Sequence, residues 1–261
     1  MVTVELIKEL RERTGVGMGD CKNALVETNG NIDEAIDILR KKGLAKAAKR
    51  SGNETGEGKI KIVIEGTDAY VAVVGCETDF VARNENFEEM ITKFIAIRKT
   101  AASDEVAAVQ AEELKASEYT LKVGENIVIK TLTKVSGPTL VSYVHTNFKN
   151  AALIVAKAGS DVEKLKMVAM HIVATNPQVL APTDISDETV AKEKDIQLSL
   201  MKEDPKNATK PTEILERIIE GKMTKFREEN ALLTQQFVVN PDQKVGEFIG
   251  DAIVSFKRFS I

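Results

Sequence analysis

Two histidines, two cysteines and a glycine-rich stretch ending in Gly58-Lys59 are the residues of this 261-residue chain whose types suggest chemistry. A thiol beside an imidazole makes a nucleophile–base pair, so Cys76 and His145 are the first combination to weigh. No glycine-rich turn that would stabilise an oxyanion accompanies either residue, which argues against acyl transfer. Cys21 and Cys76 lack the close Cys/His spacing of a zinc site; they could pair with each other, but far apart in a cytosolic chain they read rather as buried free thiols. His171 lies between Met170 and Ile172 on an apolar helix, the setting of a packed core or interface histidine. His145 ends a strand and fits a contact role or a structural role equally. A phosphate-binding loop needs four residues between its first glycine and Gly-Lys, then Ser or Thr. Here five residues separate Gly52 from Gly58-Lys59, and Ile60 follows. The chain is therefore expected to hold no nucleotide loop, no metal and no cofactor, and to be no enzyme.

What remains is a set of residues suited to contact. Residues 77–87 join a buried strand to an amphipathic helix, and Thr78 and Asp79 are natural turn and helix-start residues. Phe80 in that junction either folds inward, the commoner fate of Phe, or stands outward as an anchor for a partner. The loop Thr14-Gly-Val-Gly-Met-Gly19 is equally open. Met18 either tucks over a helix pair or offers its flexible thioether as a contact surface.

The elements that must position these residues follow from periodicity. Val4, Ile7 and Leu10, then Cys21, Ala24, Leu25 and Thr28, then Ile32, Ala35, Ile36 and Leu39 mark three helices. Asn31 with Glu34 starts the third and Gly43 suits its end, so residues 1–45 form a three-helix module. Residues 46–58, with three glycines from Gly52 to Gly58, read as a flexible linker. Strands over 59–65 and 69–76 precede a helix carrying Phe87, Met90, Ile91, Phe94 and Ile95. The order recurs as strands 139–145 and 151–157 and a helix carrying Leu165, Val168, Ala169 and Ile172. Lys122-Val-Gly-Glu125 precedes a strand over 127–135, and Lys244-Val-Gly-Glu247 precedes one over 252–259. The predicted fold is α+β, with core subdomain N at 59–138 and a related core subdomain C at 139–182 plus 231–261. Residues 183–230 insert an antiparallel helical hairpin turning at Pro205 to Pro211. Its stripe from Ile214 to Phe226 fits self-packing or a protein partner equally.

Composition narrows the class. Hydrophobic residues make up 43% and charged residues 29%, the balance of a chain with a sizeable core. The net charge is -4, aromatics are 5% and tryptophan is absent, so neither the basic excess nor the stacking aromatics of a nucleic-acid binder are present. No apolar run is long enough to span a membrane, and no secretory leader precedes the first helix. A cytoplasmic protein with neither nucleic acid nor membrane as partner is expected.

Thr78 to Phe87 (TDFVARNENF) resembles a motif of the elongation factor Ts family, the exchange factors of the GTPase elongation factor Tu. Leu10 to Lys22 is similar to the family's other motif, and Met167 to Val173 and the insertion also resemble it. The resemblance runs in order along essentially the whole chain. It implies a ubiquitin-associated-like N-terminal module, a two-subdomain core and an inserted coiled-coil hairpin. It also implies the function of a guanine-nucleotide exchange factor acting on elongation factor Tu during translation elongation. Carried over by position, Arg11, Met18 and Lys22 fall on the N-terminal contact. Thr78, Asp79, Phe80 and Val81 fall on the core contact that disturbs the partner's Mg²⁺ and phosphate site. His145 and the strand around Phe237, Val238 and Val239 correspond to a subdomain C contact. Many members carry Met-Met where this chain has Met18-Gly19, and some continue beyond the position of Ile261 into a helical module. A homodimer or a 2:2 complex through the core or hairpin is left open.

Overall fold

The computed structural model describes residues 2–203 and 212–261. Apolar spacing produces the three expected helices: α1 (Val4–Thr14), α2 (Met18–Glu27) and α3 (Ile32–Arg50). Thr3 and Asn31 cap α1 and α3 with side-chain oxygens. Gly15 ends α1 at φ 69°, donating its N–H to the Arg11 carbonyl at 2.7 Å, a left-handed conformation that favours glycine. Leu10, Cys21, Ala24, Leu25, Ala35 and Leu39 form the module's core.

The third helix does not stop at Gly43. It runs on to Arg50, so only residues 51–56 connect it to the next strand, and the expected 46–58 linker shortens accordingly. The physical reason is tertiary. Gly43 is buried because Leu121 rests on it; a Cβ built there would lie 2.5 Å from Leu121 Cγ. Glycine at this position is a seat for a neighbouring side chain rather than a stop.

The first sheet is β1 (Glu57–Glu65), β2 (Asp68–Cys76) and, later in the chain, β3 (Val128–Ser136), in that order and antiparallel. Between β2 and β3 come α4 (Asp79–Ala82), α5 (Glu85–Thr100), α6 (Asp104–Leu114), a π-helical turn (Lys115–Tyr119) and α7 (Thr120–Val123). Periodicity marked no element over 104–123, because the buried positions of α6 are only Ala107 and Ala111. Tyr70, Ala72, Val74 and Cys76 of β2 pack with Phe87, Met90, Ile91 and Phe94 of α5. Each fully buried aromatic or aliphatic side chain there contributes about 1.5–3 kcal/mol. Lys59 and Lys61 of β1 hold Glu88 of α5 at 2.5 and 2.7 Å.

The second sheet is β4 (Thr139–Val144), β5 (Asn150–Ala156) and β8 (Ile253–Ser260), with β5 central. Helix α8 (Val162–Thr175) covers it through Leu165, Val168, Ala169 and Ile172. A short ribbon, β6 (Gln236–Phe237) and β7 (Asn240–Lys244), leads into α11 (Val245–Ile249). Before it stand α9 (Asp187–Glu203) and α10 (Thr212–Asn230). They run antiparallel, since Arg227 reaches Asp187 at 3.2 Å and Lys222 reaches Gln197 at 2.7 Å. Met201, Ile219 and Met223 pack between them, consuming much of the α10 stripe, while Ile214 remains 48% exposed. The expected turn at Pro205 to Pro211 lies outside the described residues.

The chain divides into two compact units, residues 1–136 with 146–150 and 259–261, and residues 137–145 with 151–258. Each Lys-Val-Gly-Glu precedes the third strand of its sheet, β3 and β8, as expected, but the two copies differ in local conformation. Gly124 ends α7 at φ 71°, whereas Gly246 sits inside α11, whose start Glu247 secures by accepting from the Lys244 N–H at 3.0 Å. Each copy adopts what its neighbours demand. Among the described residues no helix is long and apolar enough to cross a membrane.

Candidate partner-binding site

Strand β2 is buried through Cys76, so the chain that leaves it starts from a fixed base. Thr78 caps α4, accepting from the Val81 N–H at 3.4 Å, and Asp79 pairs across one turn with Arg83 at 3.4 Å. Asp79 is thus the first residue of α4 and not its cap. Val81 and Ala82 lean on the core of the first unit. Phe80, between Asp79 and Val81, points the other way and is 83% exposed. That is the inverse of the usual fate of Phe, and it leaves an aromatic ring in water with nothing of its own chain over it.

The turn is tied down by carboxylates that the sequence did not single out. Where β2 and β3 part after the Gly75–Val128 pair, the N–H groups of 77, 78 and 126 lose their ladder partners. Glu77 N–H and Thr78 N–H donate to one oxygen of Glu125 at 3.0 Å each, and the Thr78 hydroxyl donates to the other at 2.6 Å. In return the Asn126 N–H donates to Glu77 at 2.6 Å, and Asn53 Nδ2 donates to its second oxygen at 2.9 Å. The Asn126 N–H is the main cause holding the Glu77 carboxyl below its usual range. The clue in the sequence was two acidic residues immediately after a buried strand and a helix-ending glycine.

The Cys76 thiol donates to the Thr78 carbonyl at 3.2 Å. Burial, helped by Glu125 and Glu57, pushes it up to about 12, so the reactive thiolate is disfavoured. Both cysteines are buried and free. A 560 Å³ cleft lies beside α4, lined by Lys59, Arg83 and Lys149 among others. Lys59 faces Glu88 at 2.5 Å, Arg83 faces Asp79 at 3.4 Å and Lys149 faces Glu57 at 2.5 Å, so these cations are already neutralised. Among the described residues no cluster of three His, Cys, Asp or Glu side chains is arranged to hold a metal.

In the N-terminal helices, Met18 opens α2 and is 44% exposed, and Lys22 follows one turn later, also exposed. Val16 anchors the preceding loop by burial, which turns Met18 outward rather than over the helix pair. Arg11 is exposed on α1.

In the second unit, His145 is exposed just past β4, its Nδ1 2.9 Å from the Tyr143 hydroxyl. Val238 and Val239 are not strand residues. They form the two-residue turn between β6 and β7, 48% and 55% exposed. His171 is fully buried and accounts for that turn's position. Its Nε2 lies 2.9 Å from the Gln235 side-chain oxygen, and its Nδ1 accepts from the Val238 N–H at 3.3 Å. This pattern requires the neutral imidazole with its proton on Nε2. Burial pushes the imidazole pKa down, against the opposing hydrogen bond to Gln235.

Arg11, Met18, Lys22, Phe80, His145, Val238 and Val239 are all exposed to solvent. Residues 77–261 match the family described as Elongation factor TS. The chain is 42% identical to the elongation factor Ts of Ruegeria pomeroyi, over all of this chain and 92% of that protein. It is 41% identical to that of Marinobacter nauticus and 40% identical to that of Serratia proteamaculans, in each case over all of this chain and 91% of the relative. Such identity along the full length leaves one assignment: the chain belongs to the elongation factor Ts family.

Proposed function

We propose that this chain is the guanine-nucleotide exchange factor of elongation factor Tu in translation elongation, and that Phe80 is the wedge that opens the partner's nucleotide site. The observation that carries this reading is an aromatic ring 83% exposed on a turn whose base is buried and hydrogen-bonded on both sides. An unsupported exposed Phe would fold back onto the core; a braced one keeps its ring available for a partner pocket.

The mechanism needs no covalent chemistry. An exchange factor binds the nucleotide-free GTPase more tightly than the GDP-bound form, so by linkage its binding weakens GDP. GDP is held through Mg²⁺ and the phosphate-loop amides, and displacing either loosens the β-phosphate. Thr78 fixes the turn, Val81 roots it in the core, and Phe80 with Asp79 meets the partner near its Mg²⁺ and phosphate region. Arg11, Met18 and Lys22 of the N-terminal helices add a second contact to the same GTPase domain. His145, Val238 and Val239 meet another domain of the partner. In this reading the helices of 1–45 and the two core subdomains are separate contributors to one extended interface, and the chain acts in the cytoplasm.

The deciding experiment is the release rate of fluorescent GDP from elongation factor Tu, with excess unlabelled GDP as trap. Saturating factor is expected to accelerate release by orders of magnitude. Binding to the GTPase with an unchanged GDP off-rate would mark an adaptor and reject the exchange function.

A further inference from the structure

We propose that Glu125 is a positioning residue for nucleotide exchange, holding the wedge turn through three hydrogen bonds; this rests on the reading of Phe80 as the wedge. Phe80 is the second residue of a four-residue helix, too short to hold its own orientation by helical hydrogen bonding. Its ring makes no use of the core. The direction of the ring is therefore set by Glu77 and Thr78, the two residues that lead into α4, and both are bonded to one carboxylate. Glu77 N–H and Thr78 N–H share one Glu125 oxygen at 3.0 Å, and the Thr78 hydroxyl takes the other at 2.6 Å.

The geometry that delivers Glu125 is local and specific. Gly124 closes α7 at φ 71°, turning the chain so that the next residue leaves the helix toward the end of β2. Asn126 then donates its N–H to Glu77 at 2.6 Å, so the two segments grip each other reciprocally. Asn126 Nδ2 also reaches the Asn53 carbonyl at 2.9 Å, and Asn53 Nδ2 reaches Glu77 at 2.9 Å. The connection leaving α3 is thereby held to the same clamp. Hydrogen bonds to an ionised carboxylate are stronger and shorter than neutral ones, which suits a brace that must resist a reaction force from the partner. Glu125 itself touches no partner group in this scheme; it acts through Thr78 on Phe80.

The test is a double-mutant cycle read by GDP release at saturating factor. Glu125→Ala is expected to slow maximal release about tenfold, the scale on which a small misplacement of a working group acts. The factor concentration at half effect should move much less. Glu125→Gln keeps the length and an accepting oxygen, and should fall between wild type and Glu125→Ala. In the Phe80→Ala background, Glu125→Ala should have no further effect, because residues acting as one device are not additive. If Phe80→Ala itself leaves release unchanged, the wedge reading falls and this proposal with it. If Phe80→Ala slows release but Glu125→Ala does not, or if the two losses multiply, the wedge stands and the positioning role is rejected. Should Glu125→Ala fail to fold, Glu125→Gln decides by the same criterion, its loss either masked or not masked by Phe80→Ala.

Discussion

Gly43→Ala poses two effects of opposite sign, and the structure says which wins. In an isolated helix interior, alanine is better than glycine by about 1 kcal/mol. Gly43 lies inside the 19-residue α3, so propensity alone predicts stabilisation. Against this, the new Cβ would sit 2.3 Å from Leu121 Cδ2 and 2.5 Å from Cγ. The Cγ distance is the important one, because rotating the Leu121 tip about χ2 does not move it; the whole side chain or the α3–α7 spacing must shift. Overpacking of this kind costs about 1–3 kcal/mol. The expected net is a loss of about 1 kcal/mol, a fall in melting temperature on the order of 2–4 °C for a unit of this size. Leu121→Ala removes the obstacle. In that background Gly43→Ala should become stabilising by about 1 kcal/mol, so the same substitution changes sign. Urea unfolding of the four proteins of the cycle measures this directly. If Gly43→Ala stabilises both backgrounds equally, α3 is not seated on Leu121, and the tertiary account of why the helix passes through its glycine is wrong.

The wedge residue makes the functional counterpart. Phe80→Ala should leave the unfolding midpoint within about 0.5 kcal/mol of wild type, as for an exposed site, yet slow GDP release from elongation factor Tu about 30-fold, equivalent to losing about 2 kcal/mol of buried aromatic contact; a variant that unfolds would show Phe80 to be core. Protonation of His171 must break its bond from the Val238 N–H, and its folded pKa lies below the unfolded value. The unfolded state therefore binds the extra proton first, and stability should fall as pH drops from the unfolded pKa near 6.5 toward the folded one, a slope that His171→Gln should abolish. Cys76, buried with its pKa raised to about 12, should resist a thiol reagent until urea unfolds the chain; fast labelling in the native state would contradict the burial. Gly19 has open space around its Cβ position, so Gly19→Met should be accommodated on α2 without loss of stability, while tightening binding to the GTPase beside Met18; unchanged affinity would argue that this face makes no contact.

Much of this protein was legible from spacing. The stripes on α1–α3, α5 and α8 and the alternation of the strands are one-dimensional records of which face is buried, because the 3.6 and 2.0 residue periods are local geometry. The Thr78–Phe87 motif likewise carried the family. Three things were beyond that reach. Gly43 looked like a helix end because a propensity argument has no access to Leu121. The two Lys-Val-Gly-Glu segments looked equivalent because four identical residues carry no record of what surrounds them; in the fold one ends a helix and the other lies at a helix start. Residue type alone left Phe80 open between core and anchor, the family resemblance favoured the anchor, and the inward packing of Val81 and Ala82 is the physical reason that it stands outward. The brace that holds it there pairs residues 48 positions apart, Glu77 with Glu125, where two strands separate and their unpaired N–H groups need acceptors. Local sequence determined the elements and the residue types available for contact. The tertiary structure decided which of them face water and what holds them still, because exposure and hydrogen-bond partnership depend on atoms that the chain brings together only on folding.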